Sequence, residues 1–262
     1  NFGGNVALTQ FVWFLYTQAD AFIIGKLLGK HDLGIYSVSL DLASLPTARA
    51  SASLNQVVFP VLSKIQREGG SVGLYIKKGL RILCILTFPI MWGISSVSPE
   101  IVRALLGEKW LEAVLPLSLL CLIMPLRVLT VLVSAGLQSA GRADIGFRNI
   151  CTSAVIMCSA LVIGAQFGLA GVSLTWLIVF PIAFLINLHR STKYVGLNTT
   201  DLLIPMARPA LACGLMYASI ALVRPILPWS SIVNLFLLIL IGAIIYLIFT
   251  ILLNREGLAE AK

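Results

Sequence analysis

Four charged residues lie inside long apolar stretches of this chain: Asp20, Asp41, Arg49 and Arg127. A charge at the centre of a bilayer costs about 2.5–3.5 kcal/mol on insertion scales, so residues kept there mark a cavity, an ion path or a buried pair. The stretch around Asp41 is the richest. Ser37, Asp41, Ser44, Ala48, Ser51 and Asn55 recur at steps of four and three, which draws one small, polar stripe down a helix, and Arg49 flanks it. Asn5, Thr9, Trp13, Tyr16 and Asp20 form a similar line. Neither face suits lipid. Both suit a water-filled cavity or a partner helix. Asp41–Arg49 and Asp20–Arg127 are candidates for buried ion pairs that lock helices together, with Gly25 and Gly29 permitting close approach in a GxxxG arrangement. Taken as a set, the residues favour a cavity. Two arginines near mid-membrane are a poor choice for packing alone and suit an anionic headgroup.

Other chemistry is sparse. Arg142 and Asp144 bracket a tight loop after Gly141, either as a capped helix turn or as a cytoplasmic gate or headgroup contact. His31 and His189 sit in separate loop regions without ligand spacing, so no metal or other cofactor is expected. No HExxH, GxSxG, Walker A or glycine-rich dinucleotide pattern occurs. No catalytic residue is expected, and the chain reads as a non-enzyme. The five cysteines lie in apolar segments with no CxxC pair, which predicts free buried thiols.

The elements that must position these residues are membrane helices. The chain is 58% hydrophobic and only 11% charged, against about 25% charged in soluble domains. Residues 231–253 contain no charge and exceed the roughly 20 needed to cross the hydrocarbon core. Backbone groups in lipid must pair within the protein, so such runs are helices. Eight spanning segments are predicted: 3–28, 33–63, 74–98, 112–139, 143–166, 168–190, 207–227 and 231–253. Pro46 and Pro60 are expected to kink the second. Ser98-Pro99-Glu100 opens a short interfacial helix with Ser98 as its cap, Ile101, Val102, Leu105 and Leu106 as its apolar face, and Trp110 at the headgroup layer.

Basic residues set the orientation. Lys64, Arg67, Lys77, Lys78, Arg81, Arg142, Arg148, Arg190, Lys193, Arg208, Arg255 and Lys262 fall on one side. Lys26, Lys30, Arg103, Lys109 and Arg224 fall on the other. That bias places both ends in the cytoplasm. It also explains the net charge of +8 through cytoplasmic loops, without a nucleic-acid partner. No leader is visible and the first residue is Asn1, so the chain reads as a piece of a longer one.

The run QADAFIIGKLLGKHDLGIYSVSLDLASLP resembles the central region of polysaccharide transporter (Wzx-type) flippases, and FPVLSKIQ, LLGEKW and GRADIGF continue the resemblance in order. It is nearest the colanic-acid exporter branch of lipopolysaccharide biosynthesis proteins, within the wider group that includes multidrug and toxin extruders. The resemblance implies an all-α integral membrane protein forming the carboxy-terminal lobe of a two-lobed bundle. Residues 1–190 would be a six-helix bundle equivalent to helices seven to twelve, and 191–262 two further helices and a tail. The lobes would rock about a central cavity. The implied cargo is an oligosaccharide on undecaprenyl diphosphate, carried across the bacterial inner membrane for O-antigen, capsule or exopolysaccharide synthesis. Arg49 and Arg127 would attract the diphosphate. Asp41 and Asp20 would pair with those arginines, or hold a coupling cation or proton, when cargo is absent. Ser37, Ser51 and Asn55 would line the cavity. Implied partners are membrane lipids, an amino-terminal lobe and polysaccharide polymerase machinery. The rival is an exporter of small cationic drugs in the same fold group.

Overall fold

The computed structural model describes residues 2–226 and 232–253; within these, the side chains of residues 2, 3, 5, 49, 50, 52–57, 59 and 253 lie outside the description. The described residues are nearly all helical, with no strand among them. The helices are α1 (Phe2–Leu27), α2 (Lys30–Arg67), α3 (Val72–Ser96), α4 (Ser98–Leu105), α5 (Val114–Ser139), α6 (Ala143–Ala165), α7 (Gly168–Val195), α8 (Thr199–Val223) and α9 (Ile232–Leu253). Short 3₁₀ turns at Glu108–Ala113 and Arg224–Ile226 extend α5 and α8. The protein is a multi-pass, all-α membrane protein.

Six helices are both long and apolar enough to cross a bilayer: α3, α5 with its preceding turn, α6, α7, α8 with its following turn, and α9. The expected first and second segments are also helices, about 39 Å and 57 Å long at 1.5 Å per residue, but they are less apolar. Helix α5 lies at the centre and packs against α2, α3 and α7; α6 packs against α1 and α7, and α8 bridges α3 and α9. Leu117, Leu120, Met124 and Leu129 of α5 are fully buried. Helix α9 buries Leu238 and Tyr246 and exposes Phe236, Leu240, Leu247 and Leu252, the one-sided surface of a lipid-facing helix.

Several boundaries move for local reasons. Helix α8 starts at Thr199 rather than 207. Asn198 and Asp201 form a reciprocal capping box, and Lys77 reaches Asp201 at 3.0 Å, tying α3 to α8. Helix α7 continues to Val195 and stops at Gly196, whose φ of 73° is left-handed. The helix at 98–105 forms as expected, but its cap is Val97 and not Ser98, which is buried inside the first turn. Glu100 there takes an ion pair from Arg224 instead of facing water. Gly29 has φ 93° and starts α2, so it serves the α1–α2 turn rather than a GxxxG packing face.

Candidate functional site

Four helices converge on Asp20. The carboxylate is buried on α1 and accepts a hydrogen bond from the Tyr36 hydroxyl of α2 at 2.8 Å. A second carboxylate oxygen lies 2.9 Å from the Ala21 amide. Tyr36 points inward because the face of α2 formed by Tyr36, Ser39, Ala43 and Thr47 is buried. That face is held on the central layer: Ser39 donates to the Ala113 carbonyl at 3.2 Å and Thr47 contacts the Met124 sulfur at 3.9 Å.

Arg127 comes from α5. Its guanidinium carbon sits 5.3 Å from the centroid of the Trp176 ring on α7, a cation–π arrangement. The Trp176 ring in turn meets Tyr16 at 6.4 Å and Phe180 at 5.6 Å. The Tyr16 hydroxyl and the Trp176 ring nitrogen are buried without a hydrogen-bond partner among the described residues. Buried polar atoms left in this state are costly and point to a site that other groups complete. The arrangement therefore has one carboxylate, one guanidinium, two phenols and an indole within a single buried region.

This geometry corrects the expected pairing. No ion pair joins Asp20 to Arg127: the carboxylate is taken by a tyrosine, and the guanidinium rests on an indole face. The polar line on α1 also divides. Tyr16 and Asp20 face into the bundle, whereas Trp13 is 43% exposed; Asn5 lies outside the described side chains.

The α2 stripe faces the other way. Asp41 and Ala48 are exposed, and Ser37, Ser44 and Ser51 are half-buried, on the side turned from α5. Arg49 and Asn55 lie on α2 with side chains outside the description. Thus Asp20 and Arg127 are brought together, while Asp41, Ser37 and Ser51 belong to a separate outward surface. Tyr36 and Trp176 are the residues that spacing did not single out.

Arg142 and Asp144 meet as a bidentate pair at 2.9 and 2.8 Å. Arg142 also lies 4.0 Å from the Tyr194 ring centroid on α7. The hydrogen bond to Asp144 raises the Arg142 pKa above its ordinary value. The pair thus closes the α5–α6 turn onto the end of α7. Among the described residues no cluster of His, Cys, Asp and Glu is arranged to hold a metal ion, and the five cysteines are free.

Residues 1–115 match the family model described as polysaccharide biosynthesis protein. The chain is 26% identical to the teichuronic acid biosynthesis protein TuaB of Bacillus subtilis, over 94% of this chain and 52% of that protein. It is 28% identical to the lipopolysaccharide biosynthesis protein WzxC of Escherichia coli, over 68% of this chain and 36% of that one. It is 21% identical to the probable low-salt glycan biosynthesis flippase Agl15 of Haloferax volcanii, over 91% and 51%. The chain therefore spans about half or less of these relatives. No solved structure gives a significant match. The family-model match over residues 1–115, with relatives aligned along most of the chain, shows a likeness to polysaccharide biosynthesis proteins.

Proposed function

We propose that this chain belongs to a flippase that moves oligosaccharides linked to undecaprenyl diphosphate across a bacterial inner membrane for surface polysaccharide synthesis. The relatives' names support a part in surface polysaccharide or glycan synthesis and, in one, a flippase. The observation that carries the reading within this chain is Arg127, half-buried, with its guanidinium against the Trp176 ring and no carboxylate in ion-pair contact among the described residues. A diphosphate cannot cross hydrocarbon unaided, and a guanidinium offers it paired donors in a fixed fork. Asp20, held by Tyr36, keeps that region near neutrality when cargo is absent, or holds a coupling cation or proton. Asp41, Ser37, Ser51, Arg49 and Asn55 of α2 form the wall of the aqueous path. The Arg142–Asp144 pair gates its cytoplasmic end, and the bias of basic residues supports both ends of this chain lying in the cytoplasm. Residues 1–190 act as one lobe against an amino-terminal lobe, 191–262 adds two peripheral helices, and the product passes to polymerase machinery. Transport, with no bond made or broken by the protein, is its role.

The test uses the full-length protein in a strain lacking its own flippase. Arg49→Ala and Arg127→Ala are made singly and together, membrane expression is confirmed, and translocation of lipid-linked oligosaccharide is assayed. Expression with collapse of translocation is the expected outcome. Unchanged translocation in the double variant removes the cationic-cavity mechanism.

A further inference from the structure

A second cationic feature lies away from Asp20 and Arg127, at the basic end of α6 and α7. Phe147, Arg148, Cys151 and Thr152 of α6 and Arg190 of α7 line an open cleft of about 430 Å³. Arg190 is set in place by neutral groups: it donates to Thr152 Oγ1 at 3.0 Å and to Asn149 Oδ1 at 3.3 Å. Thr152 can only accept there, because its own proton goes to the Arg148 carbonyl at 2.8 Å. Asn149 is oriented in turn by donating to Ser191 at 2.9 Å. Arg148 is exposed. The nearest acid along α6 is Asp144, and Arg142 occupies both of its oxygens. Among the described residues neither Arg148 nor Arg190 is in an ion pair, so two guanidinium groups share one cleft without a counter-charge.

The surface continuing from the cleft towards mid-membrane is apolar. Arg148, Thr152 and Val155 share one face of α6 by their spacing, and Ile182, Ile186 and Arg190 share one face of α7. Val155, Ile182 and Ile186 are 68%, 51% and 40% exposed. At 1.5 Å per residue, Val155 lies about 10 Å below Arg148. A cationic mouth above an exposed apolar track matches a phosphate headgroup above an acyl chain.

We propose that the α6–α7 cleft seats an anionic phospholipid of the surrounding bilayer, its phosphate between Arg148 and Arg190 and its chain along Val155, Ile182 and Ile186. The cleft is of headgroup size, and its charged donors are the two guanidinium groups, which suits a phosphate. The proposal does not depend on the cargo assignment.

The experiment is native mass spectrometry of the full-length protein in detergent with added phosphatidylglycerol or phosphatidylcholine. The parent protein retains phosphatidylglycerol over phosphatidylcholine. Arg148→Gln combined with Arg190→Gln lowers phosphatidylglycerol retention about tenfold or more, the loss of two charge-assisted contacts. Arg148→Gln alone, at an exposed position without structural partners, lowers it severalfold and guards against misfolding of the double variant. Equal retention by parent and both variants, or no preference between the lipids, overturns the proposal. Displacement of phosphatidylglycerol by equimolar undecaprenyl diphosphate, lost in Arg148→Gln, also overturns it and gives the cleft to the cargo lipid. A translocation defect in the Arg127 variant with lipid retention intact separates this cleft from the transport site.

Discussion

The Tyr36 hydroxyl and the Asp20 carboxylate depend on each other. Both are buried, and the 2.8 Å bond joins them directly. Tyr36→Phe keeps the ring packing and removes the donor, leaving the carboxylate short of a hydrogen bond in a buried site. Loss of such a bond costs about 1–3 kcal/mol, so Tyr36→Phe should lower the unfolding midpoint of detergent-solubilised protein. The paired change Tyr36→Phe with Asp20→Leu should recover part of that loss, since both partners are then apolar. A midpoint unchanged by Tyr36→Phe alone shows that water or another group already serves Asp20. The charged members of this cluster were legible in the sequence, because Asp20 and Arg127 interrupt apolar runs. Their partners were not. Tyr36 fits an apolar pattern and sits one residue from Ser37 on a different face of α2, and Trp176 reads as an ordinary aromatic of a membrane helix. Charge counting suggests Asp20–Arg127 as a pair; side-chain geometry instead gives the acid a phenol and the base an indole.

Between elements, α6 and α7 approach closely at Gly164 and Gly171. A Cβ built on Gly171 would collide with the Gly164 carbonyl oxygen and lie 2.7 Å from Phe167 Cβ. A Cβ on Gly164 would collide with Thr175 Oγ1 and lie 2.8 Å from the Gly171 carbonyl oxygen. Backbone cannot rotate aside as a side chain can. Gly171→Ala should therefore destabilise by about 1–3 kcal/mol, the usual penalty of overpacking. Gly34 on α2 is the internal control, with nothing within 4 Å of a built Cβ. Gly34→Ala should stabilise by about 0.5–1 kcal/mol through the entropy of the unfolded chain. Thermal unfolding of the two variants side by side checks both signs; stabilisation by Gly171→Ala would mean that the helices stand further apart. Helix existence at this scale follows from apolar runs, and α9, described over Ile232–Leu253, falls within its expected span. The start of α8 was missed because Asp201, Pro205 and Arg208 interrupt the apolar run at its beginning, whereas the helix begins at the polar Asn198–Asp201 capping box. Long-range ties such as Arg224 to Glu100 at 3.0 Å and Lys77 to Asp201 at 3.0 Å carry no periodic signal in the chain.

At the scale of the molecule, α2 presents an imbalance that packing within this chain does not resolve. Its inward face is sealed on α5, while Ser37, Asp41, Ser44, Ala48 and Ser51 turn away from it. Hydrocarbon solvates neither a carboxylate nor a row of hydroxyls. Relatives about twice as long as this chain leave room for further helices opposite that stripe, and a hydrated cavity between two such halves satisfies the stripe without burying it. Water access separates this arrangement from a packed interface. In a full-length protein with its cysteines replaced, Ser37→Cys and Ala48→Cys should react with a membrane-impermeant maleimide in native membranes. Ala43→Cys, whose position is fully buried on the inner face, should not react. Protection of Ser37→Cys and Ala48→Cys until detergent is added would mean that the stripe is covered by helix or lipid, and the aqueous path must then lie elsewhere. The same reagent reads the orientation. Ser71→Cys, in the basic loop before α3, should label in inside-out vesicles and stay protected in intact spheroplasts. The opposite pattern would invert the bundle, placing the Arg142–Asp144 pair at the outer face and exchanging the leaflet that the α6–α7 cleft addresses.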